Sequence, residues 1–226
     1  MINLIEYIWE LLQLEYIWRL LPALFSGLAG TLKIFFITIL LSLPLGILVA
    51  AGRVSKIKPL VTVLQFYIWV MRGTPLLLQI VFIFFGLPYI GITLDRFSAI
   101  LIAFIFNYAA YFGEIFRGGI ESIDKGQYEA AKVLGFNPVQ TFIRIILPQV
   151  VKIVFPSVAN EIITLVKDTS LVYIVGYGEL LRAGRIATNR DASLIPLVVV
   201  AVFYLALTWI LTKIFERIEK RFTYYQ

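Results

Sequence analysis

Apolar residues fill long runs in this chain, and charged residues are gathered into short stretches between them. The first run spans Leu24 to Ala51, contains LKIFFITILLSLPLGILVA, and is followed at once by Arg53, Lys56 and Lys58. Others run from about Pro59 to Phe85, Phe97 to Phe116, Ile153 to Val175 and Leu194 to Phe215. A helix needs roughly 20 apolar residues to cross a hydrocarbon core, and each run is of that order. Because the runs are apolar throughout rather than alternating, helices are predicted and a closed β-barrel is not. The pattern predicts an all-α integral membrane protein with five transmembrane helices per chain, forming a single domain over 1–226.

Features between and within the runs refine this. Residues 1–22 are rich in leucine and aromatics with interspersed acids, which suits an amphipathic segment at the interface or packed on the bundle. Trp9, Tyr16 and Trp18 read as interfacial anchors rather than ligand contacts. No cleavable signal peptide is expected, since the start lacks a basic region and Glu6, Glu10 and Glu15 interrupt it. Lys33 lies near enough to the start of the first run to snorkel. In the second run RGTP, Arg72 to Pro75, predicts a bend or an unwound turn. It serves either as a packing kink or as a break exposing backbone groups to a cavity. PYIGITLDR is expected to be a short exposed turn, and ERIEKR ends the last helix in a charged tail.

Composition agrees: 60% of residues are hydrophobic and 15% charged. With neither Cys nor His, disulfides, thiol chemistry and zinc or haem sites built on those ligands are excluded. The net charge of +6 reflects basic loops held on one side of a membrane rather than a nucleic-acid surface. With the amino terminus outside, the cytoplasmic side receives Arg53, Lys56, Lys58, Arg117, Lys125, Lys132, Arg144, Lys152, Lys213, Arg217, Lys220 and Arg221. The outside receives Arg19, Lys33, Arg96, Arg182, Arg185 and Arg190, so the expected orientation is amino terminus outside and carboxyl terminus cytoplasmic. No internal repeat is evident. Alternating access generally needs two matched halves, so a dimer is expected to supply the second.

The polar stretch 118–150 reads as an ordered cytoplasmic loop of two short helices. Asp124 and Gln127 have capping-box spacing before YEAAKVL, and Gly135 can end that helix in a left-handed conformation. Asn137, Pro138 and Gln140 then supply a cap, a first helical residue and a third-position partner. Tyr128, Ala131 and Leu134 form a narrow apolar stripe on a helix too short to stand alone. It packs either under its own bundle or into a cytosolic partner.

Glu129, Ala130 and Ala131, then three residues to Gly135, then nine residues to Ile145, Ile146, Leu147 and Pro148, match the EAA-x3-G-x9-I-x-LP signature at each fixed position. In this the chain resembles the permease subunits of bacterial ATP-binding-cassette importers. RGTPLLLQ, the GEIFRGGIESIDKGQYEAAKVLG run and NEIITLVKDTSLVYIVG are similar to the polar amino acid transporter subfamily. The resemblance implies a multi-pass subunit of the bacterial inner membrane, with the loop as a coupling helix seated in a cytosolic ATPase. Glu129 would sit over the docking cleft, Ala130 and Ala131 make the tight contact, Gly135 form the turn, and Leu147 and Pro148 anchor the loop. It implies as partners a second permease subunit, identical or homologous, two ATP-binding subunits holding ATP and Mg, and an extracytoplasmic amino acid-binding protein. The chain has no GxxxxGK[ST] motif, and it is expected to be neither an enzyme nor the site of a cofactor or metal.

Ionisable groups within a bilayer cost roughly 2.5–3.5 kcal/mol each on insertion scales and must face protein or water. Glu161, Thr164 and Asp168 share one helical face, as do Asn107 and Glu114. Asn107, Glu114, Glu161, Lys167, Asp168, Thr169 and Ser170 are therefore candidates for a solute pathway. Alternatively, Lys167 pairs with an acid and the set holds helices together, and KDTS serves as a gate or cap. The excess of acids hints at a basic amino acid. A permease for another small polar solute and a non-transporting scaffold or receptor subunit are the competing functions. A membrane enzyme would need a connected catalytic set, and none is evident.

Overall fold

The computed structural model describes residues 14–222, so Trp9 and the rest of the segment before Leu14 lie outside it. Helix α1, Leu14–Arg53, is continuous over 40 residues. The described part of the amino-terminal segment is thus one helix with the first span, running unbroken through Pro22. It is held by tertiary packing: Leu20 and Leu24 pack with Leu180, Ala187 and Val200, and the Tyr16 hydroxyl donates to Asp191 at 2.6 Å. Trp18 remains 71% exposed, as suits an interfacial ring. Lys33 places its ammonium 4.2 Å from the centre of the Phe97 ring.

The expected second span is two helices. α2, Lys58–Gly73, stops at Thr74 and Pro75, both extended, and α3 starts at Leu76–Val81. The axis continues through a π turn, Phe82–Gly86, and a 3-10 turn, Leu87–Ile90, and the two arms meet at 104°. Among the described residues, four helical segments are long and apolar enough to cross a membrane, or five if this bent pair counts as one span.

α4, Arg96–Glu121, starts where the Asp95 carboxylate accepts the Phe97 and Ser98 N–H groups, and it continues past the expected end at Phe116. It is the centre of the core: Phe104, Tyr108 and Phe112 are buried along it, joined by Ile34 of α1 and Leu165 and Val166 from the helix that follows the loop. Glycines bring α1 against α4. A Cβ on Gly46 would lie 2.7 Å from the Phe112 Cβ, and one on Gly113 would lie 2.6 Å from Val49 Cγ1.

The loop is α5, Lys125–Val133, and α6, Pro138–Thr141, with the corner the sequence predicts. Gly135 adopts φ +81°, and the Gly135 and Phe136 N–H groups return to the Lys132 and Ala131 carbonyls. Asn137 and Gln140 close a capping box. Asp124 caps differently from expectation: its carboxylate takes the Gly126 N–H at 2.7 Å, and the Gln127 N–H goes to the Asp124 carbonyl.

The next segment begins earlier than the apolar run implied. A π turn, Phe142–Ile146, joins α6 to α7, Leu147–Asp168, which ends in a 3-10 turn, Thr169–Val175. Helical structure is therefore continuous from Pro138 to Val175, with the wide π turn falling just before Pro148 removes an N–H from the ladder. α8, Leu180–Asp191, and α9, Ile195–Phe222, complete the chain.

Glu179 starts α8 and is fully buried. Its carboxylate accepts the Leu181 and Arg182 N–H groups, and the Tyr204 hydroxyl donates to it at 3.3 Å. Burial pushes this carboxyl up to about 7 against those hydrogen bonds. Close backbone approach fixes the same corner: a Cβ on Gly30 would sit 2.0 Å from the Gly178 carbonyl oxygen.

Two outcomes follow for the purified chain. Gly30→Ala forces backbone apart and lowers thermal stability by about 1–3 kcal/mol, whereas Gly118→Ala, with nothing within 4 Å of its Cβ, does not. For Glu179, a raised acid costs nothing where both folded and unfolded forms are neutral, and the cost grows as pH climbs from the unfolded value through about 7. The melting temperature of Glu179→Gln should therefore gain on that of the wild type between about pH 4.5 and 7. A constant difference across that window would exclude a titrating Glu179.

Candidate translocation site

The break between α2 and α3 is held open by side-chain amides. Thr74 and Pro75 interrupt the helical ladder, so carbonyls of the last turn of α2 need donors from elsewhere. Gln79 supplies one: its Nε2 donates to the Met71 carbonyl at 3.0 Å and to Thr74 Oγ1 at 2.8 Å. Asn107 from α4 supplies the other, its Nδ2 donating to the same Met71 carbonyl at 3.0 Å and to Gln79 Oε1 at 3.1 Å. The Thr74 hydroxyl donates to the Val70 carbonyl at 2.8 Å.

Beside this break lies a polar cavity of about 460 Å³. Arg72 to Leu76 form one wall, Asn107, Tyr108 and Tyr111 of α4 a second, and Glu161, Thr164 and Asp168 of α7 a third, with Leu171 at its edge. Each helix contributes the face that its i, i+3 and i+4 spacing predicts. The Tyr108 hydroxyl donates to Asp168 Oδ2 at 2.7 Å. The Arg72 guanidinium lies 5.2 Å from the centre of the Tyr111 ring. The cavity thus presents one guanidinium, two carboxylates, hydroxyls and amides, which together can hold a small solute bearing charges of both signs.

Of the pathway candidates, Asn107, Glu161 and Asp168 meet here with the broken helix Arg72, Gly73, Thr74 and Pro75. The others lie elsewhere. Glu114 accepts from Arg117 Nε at 2.9 Å, two turns further along α4. Lys167 and Ser170 border a different recess with Tyr204 and Thr208, and Thr169 is buried with its hydroxyl donating to the Val166 carbonyl at 2.7 Å. Tyr108, Tyr111 and Gln79 are the contributors that sequence reasoning missed as site residues. Tyr111 could have been found, since it stands four residues after Asn107 and three before Glu114 on one face of α4.

In the loop, Glu129 and Ala130 are exposed while Ala131 is buried. The stripe is mostly uncovered: Leu134 is 74% exposed and neighbouring Val133 86%. Leu147 and Pro148, expected as anchors, are exposed, whereas the preceding Ile146 is buried and packs with Ile123, Val150 and Val154. The helical register turns Ile146 inward and leaves its two successors outside. Among the described residues no group of three His, Cys, Asp or Glu side chains could hold a metal ion.

Residues 42–224 match the family model described as the binding-protein-dependent transport system inner membrane component. The chain belongs to this family. It is 39% identical over 203 residues to the arginine transport system permease protein ArtQ of Bacillus subtilis strain 168, covering 89% of this chain and 93% of that one. It is 35% identical over 219 residues to the L-cystine transport system permease protein TcyB of the same organism, covering 96% and 92%. A solved amino acid ABC transporter with histidines superposes with a TM-score of 0.86 at 33% identity, covering 91% and 97% of the two chains. The methionine transporter MetNI superposes at 0.68 with 21% identity, a likeness of fold. Its relatives among amino-acid permeases make the chain a transport component with membrane-spanning helices.

In this permease the two amides at the break act as a unit. Asn107→Ala strips a donor from the Met71 carbonyl and should cost about 1–3 kcal/mol of thermal stability, and Gln79→Ala a similar amount. The double variant should cost less than the sum, because both serve one acceptor. Strict additivity in a double-mutant cycle would show the two amides to be independent.

Proposed function

We propose that the chain is the pathway-forming subunit of an ATP-driven importer for polar, basic amino acids. The observation that carries the solute class is the charge pattern of the cavity, Arg72 against Glu161 and Asp168. The guanidinium suits an α-carboxylate, one acid suits the α-ammonium, and the second acid remains for a cationic side chain. The relatives named for arginine and crystallised with histidines support this reading, while that named for L-cystine keeps a neutral amino acid as the second reading.

Working as a dimer, two permease subunits flank the route, with the amino terminus outside. An extracytoplasmic binding protein delivers the solute. Two cytosolic subunits bind ATP and Mg and hydrolyse the nucleotide, the permease itself performing no bond chemistry. Support for the docking role of α5 is its uncovered apolar surface at Val133 and Leu134 beside exposed Glu129. There Glu129 and Ala130 face the ATPase, Ala131, expected at the same contact, is instead buried within its own chain, and Gly135 sets the corner.

Two measurements test this in proteoliposomes carrying the full assembly. Glu129→Lys should abolish ATP-driven uptake while the permease stays folded and still binds solute; undiminished uptake would sink the docking role. Glu161→Gln with Asp168→Asn should weaken arginine binding by about 10- to 100-fold, the equivalent of one or two charge-assisted hydrogen bonds, and affect glutamine less. Equal loss for both solutes would favour the neutral-solute reading.

A further inference from the structure

At the end of α4 opposite the loop, four cations converge on the segment Tyr173 to Tyr177. Arg96 Nε and Arg182 Nη2 come from α4 and α8, and each lies 3.9 Å from where a Cβ on Gly176 would stand. The Arg185 guanidinium lies 4.6 Å from the centre of the Tyr173 ring. Lys33 of α1 sits over Phe97, and Phe97 stacks on Tyr177 with ring centres 5.7 Å apart. Lys33, Arg96 and Arg185 are exposed, and Arg182 is half-buried.

None of the four forms an ion pair with a described carboxylate, whereas the other two basic residues assigned to this side do: Arg19 pairs with Glu15, and Arg190 with Asp191. The neighbouring acids along the chain are spent on helix starts, Asp95 on the Phe97 and Ser98 N–H groups and Glu179 on those of Leu181 and Arg182. Arg182 acts electrostatically on Glu179, but that carboxylate is fully buried and offers no counter-charge at the surface. The rings under Lys33 and Arg185 brace them, so less side-chain freedom is lost when an anion binds. Beneath the patch Val172 and Val175 are buried in the central core, and Leu171 of the same turn edges the cavity. The patch therefore caps the core at the cavity's outer end.

We propose that Lys33, Arg96, Arg182 and Arg185 form the docking surface for an acidic face of the extracytoplasmic protein that delivers solute, seated so that release occurs over the cavity. The positive-inside bias depletes outer loops of basic residues, so four kept there without surface counter-charge are matched by a partner that brings it. An array spread over three helices suits a face bearing several carboxylates, where one or two cations would suffice for a lipid phosphate. The partner's role as solute carrier and the outside location rest on the proposed function; the sign of the face it presents does not.

The full assembly in phosphatidylcholine nanodiscs is titrated with its solute-loaded binding protein, and Kd is measured at low and high NaCl. Docking should weaken about tenfold between about 50 and 300 mM salt. Arg96→Gln with Arg185→Gln should weaken it about tenfold at the lower salt and flatten the salt dependence, and Arg96→Glu with Arg185→Glu should weaken it further. Arg96→Lys with Arg185→Lys keeps the charge and should retain docking; a merely structural role for the guanidiniums would impair the Lys and Gln variants alike, and that result would overturn the proposal. Salt-independent docking, no docking, or an unchanged Kd in the Gln and Glu variants would overturn it too. With phosphatidylglycerol added to the nanodiscs, retention of that lipid lost in the Gln variant while docking is unaltered would assign the patch to lipid headgroups instead. Docking requires no turnover, so charge-dependent docking on an assembly that accumulates no amino acid would leave the surface standing and defeat the importer reading. ATP-driven uptake with charge-independent docking would do the reverse.

Discussion

Backbone polarity inside a bilayer is the constraint on which this structure turns. A helix can be broken there only if the freed carbonyls are satisfied by protein or water. The Asn107 and Gln79 amides meet that requirement by converging on the Met71 carbonyl, and the 104° bend is possible because they do. The bend in turn sets Arg72 to Leu76 as one wall of the cavity. Asn107 is consequently a framework residue at the edge of a binding site: it lines the cavity, but both of its recorded hydrogen bonds go to the broken helix.

The remainder of the cavity is an exercise in placing charge where water is scarce. Asp168 has the Tyr108 hydroxyl as a donor, and Arg72 lies over an aromatic ring. These partners tolerate charge without neutralising it, which leaves the groups available to a solute. Glu114, by contrast, is already gripped by Arg117 and belongs to a different electrostatic neighbourhood.

Most of the fold was legible in the sequence because lipid demands long apolar runs and proline and glycine punctuate them. The RGTP break, the Gly135 corner and the Asn137 cap were all visible from local chemistry. What local chemistry could not reveal was packing across the chain. Nothing near Leu14 announces that Tyr16 will bond Asp191, 175 residues away, and extend α1 beyond the first span. Likewise Tyr108 and Tyr111 read as two more aromatics in an oily run until α7 and Arg72 are set opposite them. Glu161 and Asp168 shared a helical face by spacing alone, but spacing could not separate them from Lys167, which the helix turns toward α9.

The length of α1 has a mechanical consequence. Forty residues make a rod of about 60 Å, roughly twice the thickness of a hydrocarbon core. Its amino-terminal part is tied to α8 at Tyr16 and packed closely against the Glu179 corner at Gly27 and Gly30. A tilt of about 10° within the membrane would therefore swing the far end of the rod by about 5 Å, over an arm of about 30 Å. α8 would be carried with it, so a small change in bundle packing would become a large displacement at the amino-terminal end of α1.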